Sequence, residues 1–124
     1  MLREADVVAT VAVKDIVAGK KFYGDTLGLK QTSENPAGVN YQSGSSNLFM
    51  YMSDTAGSGR ATCAWWGVDD VGATVAELKG KGITFEHYEL PGVTMQGDVH
   101  VMGPMKAAWF KDPDGNVLSI GNKT

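Results

Sequence analysis

Few residues of this chain could do chemistry, and most lack the neighbours that chemistry requires. His87 and His100 flank a glycine- and proline-rich stretch, with Glu86, Glu89 and Asp98 beside them. Imidazoles and carboxylates in one segment could hold a metal ion or move a proton, but the same composition also describes a solvated surface. The surface reading is the plainer one. Cys63 is the only cysteine and has no histidine near it in the strand pattern, so it reads as an inert buried thiol rather than a nucleophile. Gly57-Ser58-Gly59 follows no strand in the required register and reads as a linker, not a phosphate cradle. What remains is soft and flat: Trp65, Trp109, Met50 and Met52, which suit contact with an apolar molecule better than bond-breaking.

The elements that must position these residues repeat. Val11 to Ile16, a helical stretch and Leu27-Gly28-Leu29 are echoed about 55 residues later by Trp66 to Val71, a helical stretch and Lys81-Gly82-Ile83. Such a repeat means that each unit has an apolar face its partner must cover. Residues 6 to 14 are rich in β-branched types and read as a strand. Asp15 is placed to cap a helix carrying Ile16, Ala18, Phe22, Tyr23 and Leu27 at helical spacing and ended by Gly28. Three short strands are expected over 29–52, broken by Glu34 to Gly38 and Ser43 to Ser46. The second unit has a strand over 61–68, a helix capped by Asp70 with Val71, Thr74, Val75 and Leu78 on one face, and a strand over 83–89. Residues 90–104 carry more glycine and proline than a strand tolerates and are expected to form a long loop. Residues 106–111 and 116–120 form a hairpin around Asp112-Pro113-Asp114-Gly115.

The expected fold class is therefore α+β, with about eight strands: two βαβββ modules forming a curved mixed sheet around a cup-shaped ligand cavity. Module one covers about 5–53, a hinge about 54–60 and module two about 61–122 of a single domain. The hinge permits pairing of modules within a chain or by exchange between chains. At 124 residues the chain can bury roughly two-thirds of its unfolded surface. A net charge of −3 with no Lys/Arg cluster argues against nucleic acid. No stretch approaches the ~20 apolar residues of a membrane span, and no basic region followed by an apolar run opens the sequence. One cysteine suits a reducing compartment, so a cytoplasmic location is expected.

The chain resembles the glyoxalase, bleomycin-resistance and extradiol-dioxygenase superfamily, the vicinal oxygen chelate proteins. Phe22-Tyr23 followed by Leu27-Gly28-Leu29 carries the likeness in the first half, and Ala108 to Leu118, with its Phe-x-Asp-Pro-Asp-Gly-Asn phrase, in the second. The resemblance implies paired modules curling into a ligand cup, often completed by a second subunit. It also implies His, Gln or Glu metal ligands at equivalent points of the two modules in the enzymes. Those points fall here on Val8, Cys63, Met50 and Ser119. Valine offers no donor, methionine a soft thioether and serine a poor hydroxyl, so neither a metal site nor a cofactor is expected.

Strand alternation places Val8, Thr10 and Ala12 on one face. If Cys63 points into the cup, so does Trp65, while Trp66 and Val68 face the helix-covered core. Trp109 should sit opposite Ser119 on the inner face and Phe110 opposite Leu118 in the core. Met50 and Met52 are expected inward, Phe49 and Tyr51 outward against the first helix. The expected ligand-binding set is thus Thr10, Met50, Met52, Cys63, Trp65, Tyr88, Trp109 and Ser119, with Tyr88 in a lid over the cup and no catalytic residue assigned. For the two tryptophans the other possibility is a cup filled by its own side chains or by a dimer interface. This set points to a metal-independent protein binding a small hydrophobic or aromatic drug or natural product, acting as a homodimer. The alternative is a metal-free lyase or isomerase drawing acid–base groups (Glu86, His87, Tyr88, His100) from the 86–104 loop. A third possibility is an interaction module with a closed cup.

Overall fold

The computed structural model of the protein describes residues 1–123. After a single 3-10 turn at Leu2–Glu4, the chain forms β1 (Ala9–Val13) and α1 (Ile16–Lys20). The Asp15 carboxylate accepts from the amides of Val17 and Ala18, satisfying two donors that the first helical turn leaves free. From Lys21 to Thr26 the winding widens to a π-helix, in which Leu27 N donates to Phe22 O at 2.8 Å. The wider turn lets adjacent Phe22 and Tyr23 both go inward, edge to face at 5.1 Å. Gly28 at φ 75° ends the helix in the left-handed conformation glycine adopts without strain. Three antiparallel-linked strands follow: β2 (Lys30–Asn35), β3 (Gly38–Ser43) and β4 (Ser46–Met52).

The second half begins with β5 (Thr62–Val68) and α2 (Val71–Gly80), capped by Asp70 onto Ala73 N. Then come β6 (Phe85–Glu86), β7 (Thr94–Gln96), β8 (Val99–Met102), β9 (Met105–Lys111) and β10 (Val117–Asn122). Hydrogen bonding divides the strands into two mixed sheets. One has the order β1-β4-β3-β2, the other β5-β10-β9-β8-β7, with β6 also on β9. In both, the first strand lies parallel to the last (Thr10 beside Phe49, Trp65 beside Ser119). The sheets share one core. Val11, Val13, Tyr23, Tyr41, Leu48 and Met50 from the first half join Val75, Leu78, Phe85, Phe110, Leu118 and Ile120 from the second.

Three expectations change. Residues 90–104 are not one irregular loop, because the glycines there mark turns between strands. Gly97 (φ 61°) turns β7 into β8 and Gly103 (φ 56°) turns β8 into β9, giving ten strands rather than about eight. The strand expected over 83–89 shrinks to Phe85–Glu86. On β4 the faces are inverted: Met50 is fully buried, packed where α1 comes closest at Gly19, and Phe49 and Tyr51 lie on the opposite face. The hairpin of β9 and β10 pairs Trp109 with Ser119 and Phe110 with Leu118, in the register read from sequence.

Candidate functional site

The face of the second sheet opposite α2 carries a cavity of about 410 Å³, open on one side. Its floor comes from neighbouring strands. Trp65 on β5, Ser119 on β10 and Trp109 on β9 are laid side by side by pairing. Beyond Trp109 the hairpin adds Ala107, Met105, Met102 and His100, since β8 pairs His100 with Ala107 and Met102 with Met105. Leu90 and Val93, from the segment between β6 and β7, close one wall.

Each floor residue is held by its neighbours. Trp65 is half exposed and lies over two glycines: a Cβ at Gly67 would meet its Cη2 at 2.9 Å, and one at Gly121 would meet its Nε1 at 2.9 Å. Only glycine at these positions lets the indole lie flat on the sheet. Trp109 Nε1 donates to Thr62 Oγ1 at 3.1 Å, fixing the second indole. Ser119 Oγ, itself buried, donates to Ala108 O at 3.1 Å. Tyr88 stands edge-on to Trp109 at 5.6 Å and lines an adjoining depression with Leu90, Pro91, Val93 and Met95.

His100 is 3% exposed, so it is not the surface histidine expected from its acidic neighbours. Its ring packs edge to face with Trp109, centroids 4.8 Å apart. Nε2 accepts from the Tyr88 backbone N–H at 2.9 Å, while the buried Nδ1 has no partner among the described residues. His87 does lie at the surface, 2.6 Å from Asp98 Oδ1, and Lys79 reaches Asp98 Oδ2 at 2.7 Å. The His87 imidazole and then the Lys79 ammonium hold the Asp98 carboxyl below its usual range. Glu86 sits 3.5 Å from Lys111.

The structure brings together Trp65, Trp109 and Ser119 of the expected set, with Tyr88 beside them. Four others lie elsewhere. Met50 is in the core for the reason given above. Met52 is exposed at the end of β4, and Thr10 is exposed on the open face of the first sheet. Cys63 is displaced by a bulge: the pairing of β5 with β10 slips between Thr62 and Ala64, so Thr62, three residues before Trp65, takes the cavity position that simple alternation gives to Cys63. Cys63 is an exposed residue rather than the buried thiol expected, although its sulfur, donating to Val117 O at 3.4 Å, is partly covered. Thr62, Met102, Met105 and Lys106 lie outside the expected set, as does His100, which the sequence offered only as an acid–base group of the 86–104 loop. Reading Gly97 and Gly103-Pro104 as turns puts His100 and Met102 on one strand and Met105 on the next, all on one face of the sheet.

The donor set does not suit the divalent ion that related enzymes carry. Equivalent points of the two halves lie five residues before the helix caps, at Thr10 and Trp65, and their partners on the last strands are Phe49 and Ser119. The outer pair, Val8 and Cys63, adds a side chain with no donor and a thiol turned towards Val117. Among the described residues no three of His, Cys, Asp or Glu are grouped to hold an ion.

Residues 6–120 match the family model described as Glyoxalase/Bleomycin resistance protein/Dioxygenase superfamily. The chain belongs to this superfamily. Solved structures with the same fold include lactoylglutathione lyase from Agrobacterium tumefaciens, 18% identical, TM-score 0.71, covering 96% of this chain and 93% of that one. TnmS3, an antibiotic binding protein from Streptomyces sp. CB03234, is 23% identical, TM-score 0.67, covering 94% and 93%. A glyoxalase/bleomycin resistance protein from the same strain is 25% identical, TM-score 0.66, covering 96% and 100%. A search of curated proteins returns no match. No helix among the described residues is long and apolar enough to cross a membrane.

Proposed function

We propose that this superfamily member is a metal-independent binding protein for a flat, hydrophobic or aromatic small molecule, a drug or natural product, held against Trp65 and Trp109. One observation carries the reading: two indoles, two methionines and Leu90 and Val93 wall a cavity of about 410 Å³. That volume is in the range of small-molecule sites, and apolar lining with a few polar groups is their usual composition. Each ring stacked on an indole adds ~0.5–1.5 kcal/mol beyond area burial. Met102 and Met105, both half exposed, supply walls that adapt to shape. A structural relative that binds an antibiotic adds weight to this reading.

The rival reading, a metal-free acid–base enzyme, has less to work with. Glu86 and His87 are engaged with Lys111 and Asp98 outside the cavity, leaving His100 as the only imidazole on its wall.

The same proposal includes a homodimer working in the cytoplasm. Phe49 and Tyr51 stack at 6.3 Å on the open face of the first sheet, with Thr10 beside them. A second copy laying that face over Trp65, Met102 and Met105 would cover apolar surface on both. Solution mass tests the dimer. Binding is tested by titrating tryptophan emission with a panel of polycyclic and glycopeptide compounds. Saturable quenching that Trp109→Leu abolishes supports it, and silence across the panel overturns it.

A further inference from the structure

We propose that His100 is the polar anchor of the cavity, a neutral imidazole whose Nδ1–H donates to a carbonyl-type acceptor on an aromatic ligand. This deepens the binding function proposed above and rests on it. The argument starts from the ring's tautomer. Nε2 accepts from the Tyr88 amide at 2.9 Å, so it carries no proton, and the proton of the neutral ring lies on Nδ1. That N–H is buried and has no acceptor among the described residues. A buried donor left unsatisfied is costly, and proteins keep few of them. His100 lines the cavity, so an acceptor on a bound molecule is the natural partner.

The other polar groups on the wall point to the same ligand chemistry. The Thr62 hydroxyl oxygen already accepts from Trp109, which leaves its proton to donate. Lys106 borders the cavity through its backbone, its side chain lying with Val101 on the other face of the sheet, and no carboxylate lines the cavity. The wall therefore offers hydrogen-bond donors between two indoles and no acceptor carboxylate. It suits a neutral or anionic aromatic ketone, not a cation. Nδ1 is shielded, so a ligand reaches it only when a side chain of the wall shifts.

The test is a matched pair of probes, 9-fluorenone-2-carboxylate and fluorene-2-carboxylate, which share ring shape and charge and differ in the carbonyl. Isothermal titration calorimetry with the wild-type chain should show the ketone binding about fivefold to tenfold tighter, the worth of one hydrogen bond. His100→Phe should bring the two dissociation constants together, the ketone losing its advantage over fluorene-2-carboxylate. Long-range 1H–15N spectra of the wild type should show His100 protonated at Nδ1, with that resonance moved by the ketone alone, which keeps the test valid if the variant does not fold. Equal wild-type affinity for the two probes, or an Nε2–H tautomer, overturns the anchor and leaves the binding function standing. No binding of either probe up to millimolar concentration overturns both.

Discussion

Tyr23 Oη donates to Asp112 Oδ2 at 2.6 Å, joining residues 89 positions apart across the two halves of the chain. Asp112 is buried and fully engaged. Its Oδ1 accepts from the amides of Asp114 and Asn116, and its Oδ2 also takes the Asn116 side-chain amide at 2.7 Å. Asn116 Nδ2 reaches on to Ala12 O of β1, and Asn116 Oδ1 accepts from Gly57 N. The Asp-Pro-Asp-Gly-Asn turn is thus a clamp between the sheets. Burial first, then the adjacent Asp112 charge, pushes the Tyr23 phenol far above its ordinary value, so it stays a donor at any ordinary pH. Tyr23→Phe should destabilise the fold by about 2 kcal/mol, the worth of a hydrogen bond to a charged acceptor. Urea denaturation checks this, and an unchanged midpoint would show the clamp to be idle.

Asp98 predicts an acid-labile contribution. Its carboxyl is depressed first by His87 and then by Lys79, so its ionised form is favoured in the folded chain. The sign follows from linkage: the stabilisation is fully present above the unfolded carboxyl's value of ~3.9 and is lost as pH falls through the lower folded value. The pairs are near the surface, so the contribution is at most about 1 kcal/mol. Asp98→Asn should lower the urea midpoint at pH 6, and the gap to the wild type should close towards pH 2. A gap constant over that range would refute the assignment.

How much of this was legible from residues alone depends on how far each signal reaches. Asp15 and Asp70 announce their helices because a cap acts over three residues. The β9–β10 hairpin is equally local, since the turn at Asp112 to Gly115 sets its register. The faces of β4 and β5 were harder. Repeat spacing aligned Met50 with Ser119, but pairing with β1 makes Phe49 the counterpart, and a slip of one residue exchanges core for open face. The bulge at Cys63 has no composition signal at all. His100 was obscured because its partner is the backbone of Tyr88, a contact that no side-chain pattern encodes.

Cys63 follows from that bulge. Its thiol lies against Val117 O, and burial, followed by the Asp112 charge, pushes it above its ordinary value. At pH 7.5 little thiolate forms, so alkylation by iodoacetamide should run slower than for a free cysteine. A bound aromatic ligand should not protect it, because Thr62 and not Cys63 lines the cavity. Cys63→Ala should keep ligand affinity within about twofold, the scatter expected when a substitution touches no binding contact. Strong protection by ligand would return the thiol to the site.

Gly121 controls how Trp65 lies. A Cβ there would stand 2.9 Å from Trp65 Nε1 and 3.0 Å from Lys106 O, and the second contact is backbone of β9 that cannot swing aside. Gly121→Ala must therefore lift the indole or spread the strands, at about 1–3 kcal/mol. The lifted ring should emit at longer wavelength, and aromatic ligands should bind about tenfold more weakly, as expected for a lost stacking partner. Gly80→Ala is the control, since a Cβ at the end of α2 meets nothing within 4 Å. If Gly121→Ala binds as the wild type does while Gly80→Ala is silent, the flat posture of Trp65 plays no part in recognition and the site must lie elsewhere on the sheet.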